Sequence, residues 1–446
     1  MNSVHRSARG IARQLLGASF ALVLAAGCAK RDQGALEAPQ SGASPAASAE
    51  APEPAGGTAS GSPGAGATEA PEGTVPTPGS SARNGPSDAP KGPPTLAGLE
   101  LAPGFAIEVY SPDVPNARSL ALGRKGVVFV SNRTGDKVYA LVDKDGDHRA
   151  DAVKVVASGL DTPNGIAYRD GKLYIAEVER LLRIDGIDGQ LDNPPQAAPP
   201  KAQLVTDQLP KETWHGWRYI RFGPDGWLYM PIGAPCNLCE RDDPRFASIA
   251  RLKPDGTGLE VFASGVRNSV GYDWHPQTKE LWFSDNGRDE LGDDQPGDEL
   301  NRAPKAGLHF GFPYCHQGNL LDPTFGKGKS CAGYEPPARV LGAHVAALGM
   351  RFYTGTMFPE KYRNAIFVAE HGSWNRARKD GYRVMVAQLD GSRVTSYEPL
   401  ITGWLNEKTD EVSGRPTDIE LLEDGSLLIS DDYRGAVYRV TYRSPS

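Results

Sequence analysis

The stretch IRFGPDGWLYMPIG at residues 220–233 carries the pattern on which the fold turns. A short apolar run leads into a turn of Gly, Pro and Asp, and an alternating apolar strand with large aromatics follows. That is the signature of two antiparallel strands joined tightly. The same pattern recurs as LALGRKGVVFVSN (120–132), GIAYRDGKLYIAE (165–177), YDWHPQTKELWFSDN (272–286), MRFYTGTMFPEKYRNAIFVAE (350–370) and IELLEDGSLLISDD (419–432), giving six copies. Most lead into a further strand-like run, such as KVYALVD, RLLRID, ASIARLK, RVMVAQL or AVYRVTY. Spacings of roughly 45 to 85 residues suit four-stranded blades with loops of varied length. The sequence therefore predicts an all-β, six-bladed β-propeller over residues 96–446. The competing reading, a generic β-sandwich, has to treat six matched hairpins as chance. FAIEVY at 105–110 is expected to pair with the last blade and close the ring, leaving no exposed edge.

Outward from the propeller, the N-terminal end has a different composition. Arg6, Arg9 and Arg13 precede or enter an apolar stretch from Ile11 to Ala26 that is too short for a stable membrane span, so residues 1–27 read as a secretory signal. It ends in LAAGC, similar to a bacterial lipobox, with Cys28 as the acylated residue; an ordinary secreted protein with an unmodified cysteine is the alternative. Residues 28–95 are Pro, Ala, Gly and Ser with scattered charges, too poor in large apolar groups to offset their conformational entropy. They read as a disordered tether on a chain held to the bacterial envelope by lipid alone, on its periplasmic or surface side. Ala29 after the cysteine favours the outer membrane. The formal charge of -7 becomes more negative once the three arginines are removed, which argues against nucleic-acid binding.

Four cysteines fall in the propeller: Cys236 and Cys239 in APCNLCE, and Cys315 and Cys331 around HQGNLLDPTFGKGKS. In an exported chain they read as two local disulfides, with a four-thiolate zinc site as the rival. Glu240, not His, follows Cys239, so this is not a c-type haem attachment.

In a propeller the residues just before the inner strands converge at one end of the channel. Those positions hold Asn116, Arg118, Asn164, His215, Arg267, Asn268, Arg415 and Asp418. His215 suits a general base, and the Arg267-Asn268 pair suits a carbonyl, oxyanion or carboxylate-rich ligand. Taken singly, each also suits a strut between blades. The run FSDNGRDELGDDQPGDELN crowds Asp285, Asp289, Glu290, Asp293, Asp294, Asp298 and Glu299 into what reads as one loop, and hard oxygen donors favour Ca²⁺. A second calcium loop is expected in DKDGDHRAD, where Asp143, Asp145, Asp147 and Asp151 take ligand positions, although Lys154 stands where an EF-hand has its terminal Glu. A solvated turn is the alternative.

SGVRNSVGYDWHP, LWFSDNGRDELGDDQPGDELN, GFPYCH and VAEHGSWNR together resemble the soluble pyrroloquinoline quinone (PQQ)-dependent sugar dehydrogenases, especially their sorbosone- and pyranose-dehydrogenase-like branch. The resemblance runs from about Leu101 to Tyr442. It implies a propeller that carries PQQ and Ca²⁺, oxidises a sugar and passes electrons to a separate acceptor. On that basis His215 corresponds to the base, and Arg267 and Asn268 to the holders of the quinone oxygens. Arg415 and Arg118 correspond to residues facing the cofactor carboxylates, and Gly287, Arg288, Asp298 and Glu299 to the calcium site. The lysine that pairs with the quinone in the glucose enzymes has no clear counterpart in EHGSWNRARK. Two further readings stand beside this one: a calcium-dependent, lactonase-like hydrolase with Asn164 and Asp418 as ligands, and a non-catalytic binding propeller on the cell surface.

Overall fold

The structure, a computed structural model, describes residues 94–192 and 199–444. The signal segment, Cys28 and nearly all of the tether lie outside those residues. Among the described residues, six antiparallel sheets of four main strands follow one another around an axis. Their innermost strands are Ala117–Leu122, Gly165–Arg169, Arg221–Phe222, Tyr272–Trp274, Ala347–Phe352 and Pro416–Leu421, here blades 1 to 6. Every hairpin read from the sequence forms the first two strands of a blade. In blade 2, Asp170 and Gly171 both take positive φ (51° and 72°), the turn that matches the twist of the strands they join.

The outermost strand of blade 6 is Phe105–Ser111, paired antiparallel with Ala436–Tyr442. The ring is thus closed by joining its two ends, as the sequence suggested.

Blades are covered on both faces, so alternate residues of one strand serve two interfaces. In blade 1, Val127 and Phe129 pack with Ile166, Leu173 and Ile175 of blade 2, whereas Val128 and Val130 pack with Tyr110, Leu428 and Val437 of blade 6. This double burial is why VVFV is continuously apolar. Four more clusters fill the remaining interfaces in turn.

The axis is polar. Glu420 of blade 6 accepts from Arg221 of blade 3 at 2.9 Å and from Arg351 of blade 5 at 3.0 Å. Asp273 of blade 4 lies 3.6 and 3.9 Å from the same two guanidiniums. Burial alone would raise the Glu420 carboxyl, but the two arginines reverse this and hold it below its ordinary value. Its contribution to stability is therefore present above the unfolded carboxyl's pKa and is lost as pH falls through the lower folded value.

Glu420→Ala leaves two buried guanidiniums short of a partner and is expected to cost about 3–5 kcal/mol. Urea unfolding checks this, and a loss under 1 kcal/mol would show that the axis does not depend on the pair.

Candidate active site at the mouth of the channel

Antiparallel pairing puts the start of each inner strand and the end of each second strand at the same end of its blade. Two sets of residues therefore meet there, one before inner strands and one after second strands.

His215 sits ahead of blade 3's inner strand with φ of 50°, a conformation costly for a residue with a side chain. Its ring is anchored by Nδ1, which lies 2.7 Å from the Ala234 carbonyl oxygen. Because a carbonyl only accepts, Nδ1 carries the proton and Nε2 is left with the lone pair. Burial, and then the Arg267 guanidinium, hold this histidine well below its ordinary value of 6.5, so it is a neutral imidazole at neutral pH. The seat depends on Gly233, where an added Cβ would lie 2.5 Å from the His215 Cβ.

Arg267 is buried between two loops. Its Nε donates to the Asn237 carbonyl at 3.0 Å, and its terminal nitrogens donate to Asn237 Oδ1 at 3.0 Å, the Asn286 carbonyl at 3.2 Å and Asp289 at 3.3 Å. Beneath it, Asp285 takes the backbone N–H groups of Arg267 and Asn268 at 2.9 and 2.6 Å. Asn237 lies inside the Cys236–Cys239 disulfide loop. The Cys315–Cys331 disulfide also forms, as expected.

Arg118 donates to Asn164 at 3.1 Å and to Asp432 at 2.8 Å. Asp432 also meets His371 Nε2 at 2.8 Å. Burial would raise Asp432, but His371, Arg118 and Arg133 hold it far below the ordinary carboxylate range. Burial, opposed by Asp432, takes His371 down to about 4. Arg133 stacks 4.0 Å over Trp217, two residues from His215, and Arg415 faces the rings of Tyr382 and Tyr433 at 5.7 Å. Arg118, Arg133 and Arg415 are close enough to act electrostatically on one another, and burial, then these neighbours, bring Arg133 down to about 10.

Three donors in this bowl are unmet. Arg133 Nε, Arg415 Nε and Asn164 Nδ2 are buried without a hydrogen-bond partner among the described residues. Each such group costs about 1–3 kcal/mol, a cost that a ligand rich in acceptors would remove.

Some expected residues fall elsewhere. Asp418 is spent on the backbone N–H groups of Leu120 and Ile419, both at 2.9 Å, as a brace between blades 6 and 1. Asn116 caps the turn that follows blade 1's second strand by accepting from the N–H groups of Arg133 and Thr134. Asp298 and Glu299 are not in the acidic loop but in blade 4's third strand, Gly297–Ala303, whose pairing with Leu281–Asp285 overrides the run of charge. Asp298 accepts from Gly287 N and Ala347 N, and Glu299 from Gln317 N and the Asn301 side chain. Burial pushes both carboxyls up to about 7. Arg288 is tied to Asp322 at 2.8 Å. Asp143, Asp145 and Asp151 gather with ligand atoms within 4.8 Å of one another, without Asp147, in a loop at the opposite end of blade 1 from His215.

Arg133, Asn237, His371 and Asp432 lie away from the starts of the inner strands and were not among the expected residues, and Asp289, expected in a calcium-binding loop, instead meets Arg267. The signal was available, since each follows the end of a second strand. Lys379, in the stretch without a clear lysine counterpart, is turned to Asp410 at 3.2 Å. His371 is the residue of that stretch that faces the arginines.

Residues 189–439 match the family model for glucose/sorbosone dehydrogenases. The chain belongs to that family, one of sugar oxidoreductases. It is also 33% identical over 354 residues to an uncharacterized protein of Borreliella burgdorferi, covering 77% of this chain and 91% of that one. Its fold is shared by an AA12 carbohydrate-active enzyme of Trichoderma reesei (TM-score 0.67, 19% identity, 78% of this chain and 99% of that one). It is shared too by the PQQ domain of pyranose dehydrogenase from Coprinopsis cinerea (TM-score 0.65, 18% identity, 79% and 99%). The soluble aldose sugar dehydrogenase of Escherichia coli aligns with a TM-score of 0.57 at 18% identity, over 76% of this chain and all of that one.

Gly233→Ala is expected to push His215 off its seat. In NMR titration of the ring, its pKa then climbs towards 6.5 as burial is lost. An unmoved titration would mean that Gly233 is not what makes room for the base.

Proposed function

We propose that this member of the family is a PQQ-dependent sugar dehydrogenase with Ca²⁺ as its metal. The observation that carries the reading is the set of three unmet buried donors among three arginines and Asn164, at the same end of the channel as a neutral histidine whose Nε2 is the accepting nitrogen. A flat ligand with several carboxylates fits those donors. Arg118, Arg133, Arg415 and Asn164 would hold the carboxylates, and Arg267 with Asn268 the quinone oxygens. The carbonyls of Gly287 and Arg288 would offer hard oxygen donors of the kind Ca²⁺ prefers, with Asp298 and Glu299, whose own oxygens are taken by N–H donors, adding negative charge beside them. Bound together, PQQ and Ca²⁺ would supply a polarised quinone able to accept hydride.

The chain's own part is proton handling and placement. His215 Nε2 takes the proton of the sugar hydroxyl while the C–H electron pair leaves as hydride, so one hydroxyl becomes a carbonyl. The Ala234 carbonyl keeps Nε2 as the accepting atom throughout. Arg267 disfavours the imidazolium formed, which encourages prompt release of the proton. The electrons then pass to a separate acceptor. On the sequence reading, export and acylation of Cys28 place this chemistry at the cell envelope, with the propeller over 96–446 on its tether.

The hydrolase reading is weakened by its proposed ligands: Asn164 Oδ1 accepts from Arg118, and both Asp418 oxygens are spent on the backbone.

Reconstitution with PQQ and Ca²⁺, followed by aldose-dependent reduction of a dye, tests the proposal. Turnover is expected, with loss on chelation of the metal. Absence of turnover with any aldose would count against it. His215→Gln should lower kcat/KM by about 10²–10⁴-fold with PQQ still bound, whereas undiminished turnover would remove His215 from the reaction. The acid limb of kcat/KM should lie well below pH 6.5, because only the neutral imidazole is competent; a limb at or above 6.5 would contradict the buried, guanidinium-facing setting.

A further inference from the structure

The lone pair assigned to proton abstraction is already in use. Trp214 Nε1 lies 3.2 Å from His215 Nε2, the two rings meeting edge to face at 79° with centroids 6.0 Å apart. An indole N–H can only donate, so it must point at the accepting nitrogen. Yet Trp214 is 43% exposed, and its preceding neighbours Lys211, Glu212 and Thr213 are exposed as well. With nearly half of its surface open to solvent, the indole has room to turn outward and away from His215. His215, by contrast, is fixed from the other side by Ala234.

We propose that Trp214 is a gate on the base: its N–H occupies His215 Nε2 in the resting protein and is exchanged for the hydroxyl of the substrate. This rests on the dehydrogenase reading in assigning Nε2 to proton abstraction. A hydroxyl donates in the same direction as the indole, so exchange keeps the tautomer and needs no proton to move. The gate is selective by chemistry. A ligand without a donor at that point cannot replace the bond it breaks, and the unsatisfied nitrogen then counts against binding. Trp214 thus acts through His215 as a positioning residue and takes no part in the transfer itself. The groups that face the base are the Arg267 guanidinium, the Ala234 carbonyl and this indole.

Trp214→Phe keeps the ring and removes the donor. Two readouts follow. In the protein without cofactor, NMR titration should place the His215 pKa about half to one pH unit higher in the variant, because the lost bond favoured only the neutral ring. In the reconstituted enzyme, the sugar no longer competes with the indole, so KM should fall several-fold and the gain should lie in KM rather than in kcat. A merely structural role would leave the His215 titration where it was and raise KM if it moved it at all; either result overturns the gate. Should reconstitution give no turnover even in the unaltered protein, the dehydrogenase reading fails, and the NMR comparison still decides whether the indole holds Nε2.

Discussion

The carboxylate of Glu420, held between Arg221 and Arg351 on the propeller axis, is the contact on which the rest of the structure depends. Apolar clusters between blades resist separation but are indifferent to small sliding, because hydrophobic burial has no direction. The axial ion pairs have direction. They fix how far the inner strands of blades 3, 5 and 6 are shifted along the axis relative to one another, and Asp418 does the same for blades 6 and 1 by taking the Leu120 amide. Residues before and after those strands then arrive at one height, which lets groups distant in sequence form a single bowl.

Much of this was legible in the sequence. Continuous apolar runs in short strands, turns such as Asp170-Gly171, and a stray strand at 105–110 gave six blades and a closed ring because each is a local consequence of double-sided burial or of backbone twist. The site was legible only in part. Positions before or at the start of the inner strands pointed to Arg118, His215, Arg267, Asn268 and Arg415, and the structure brings these to one end. The partners from the ends of the second strands, Arg133, Asn237, Asp289, His371 and Asp432, needed the antiparallel geometry to be applied to both chain directions at once. Asp298 and Glu299 looked like loop because charge hid a strand; buried backbone amides, not solvent, satisfy them. Asp418 illustrates the reverse error, a polar residue near the axis that serves the backbone.

The electrostatics of the bowl divide into two halves. On one side an anion, Asp432, accepts from Arg118 and meets His371, with the Arg133 charge acting on it as well, leaving guanidinium nitrogens without partners among the described residues. On the other, Arg267 has one N–H donor left after four hydrogen bonds and suppresses protonation of His215. The first half is suited to receiving negative charge, the second to keeping a base neutral. Family membership makes a sugar the natural substrate, and the proposed cofactor is one that both halves can serve.

The central claim is that the unmet donors are the seat of a carboxylate-bearing cofactor, and calorimetric titration of PQQ into the calcium-supplemented protein tests it most directly, with Arg133→Met alongside. Stoichiometric binding to the unaltered protein, weakened about 10–100-fold by loss of this charged donor, is the predicted result. Binding of equal strength in both proteins, or in neither, would contradict it.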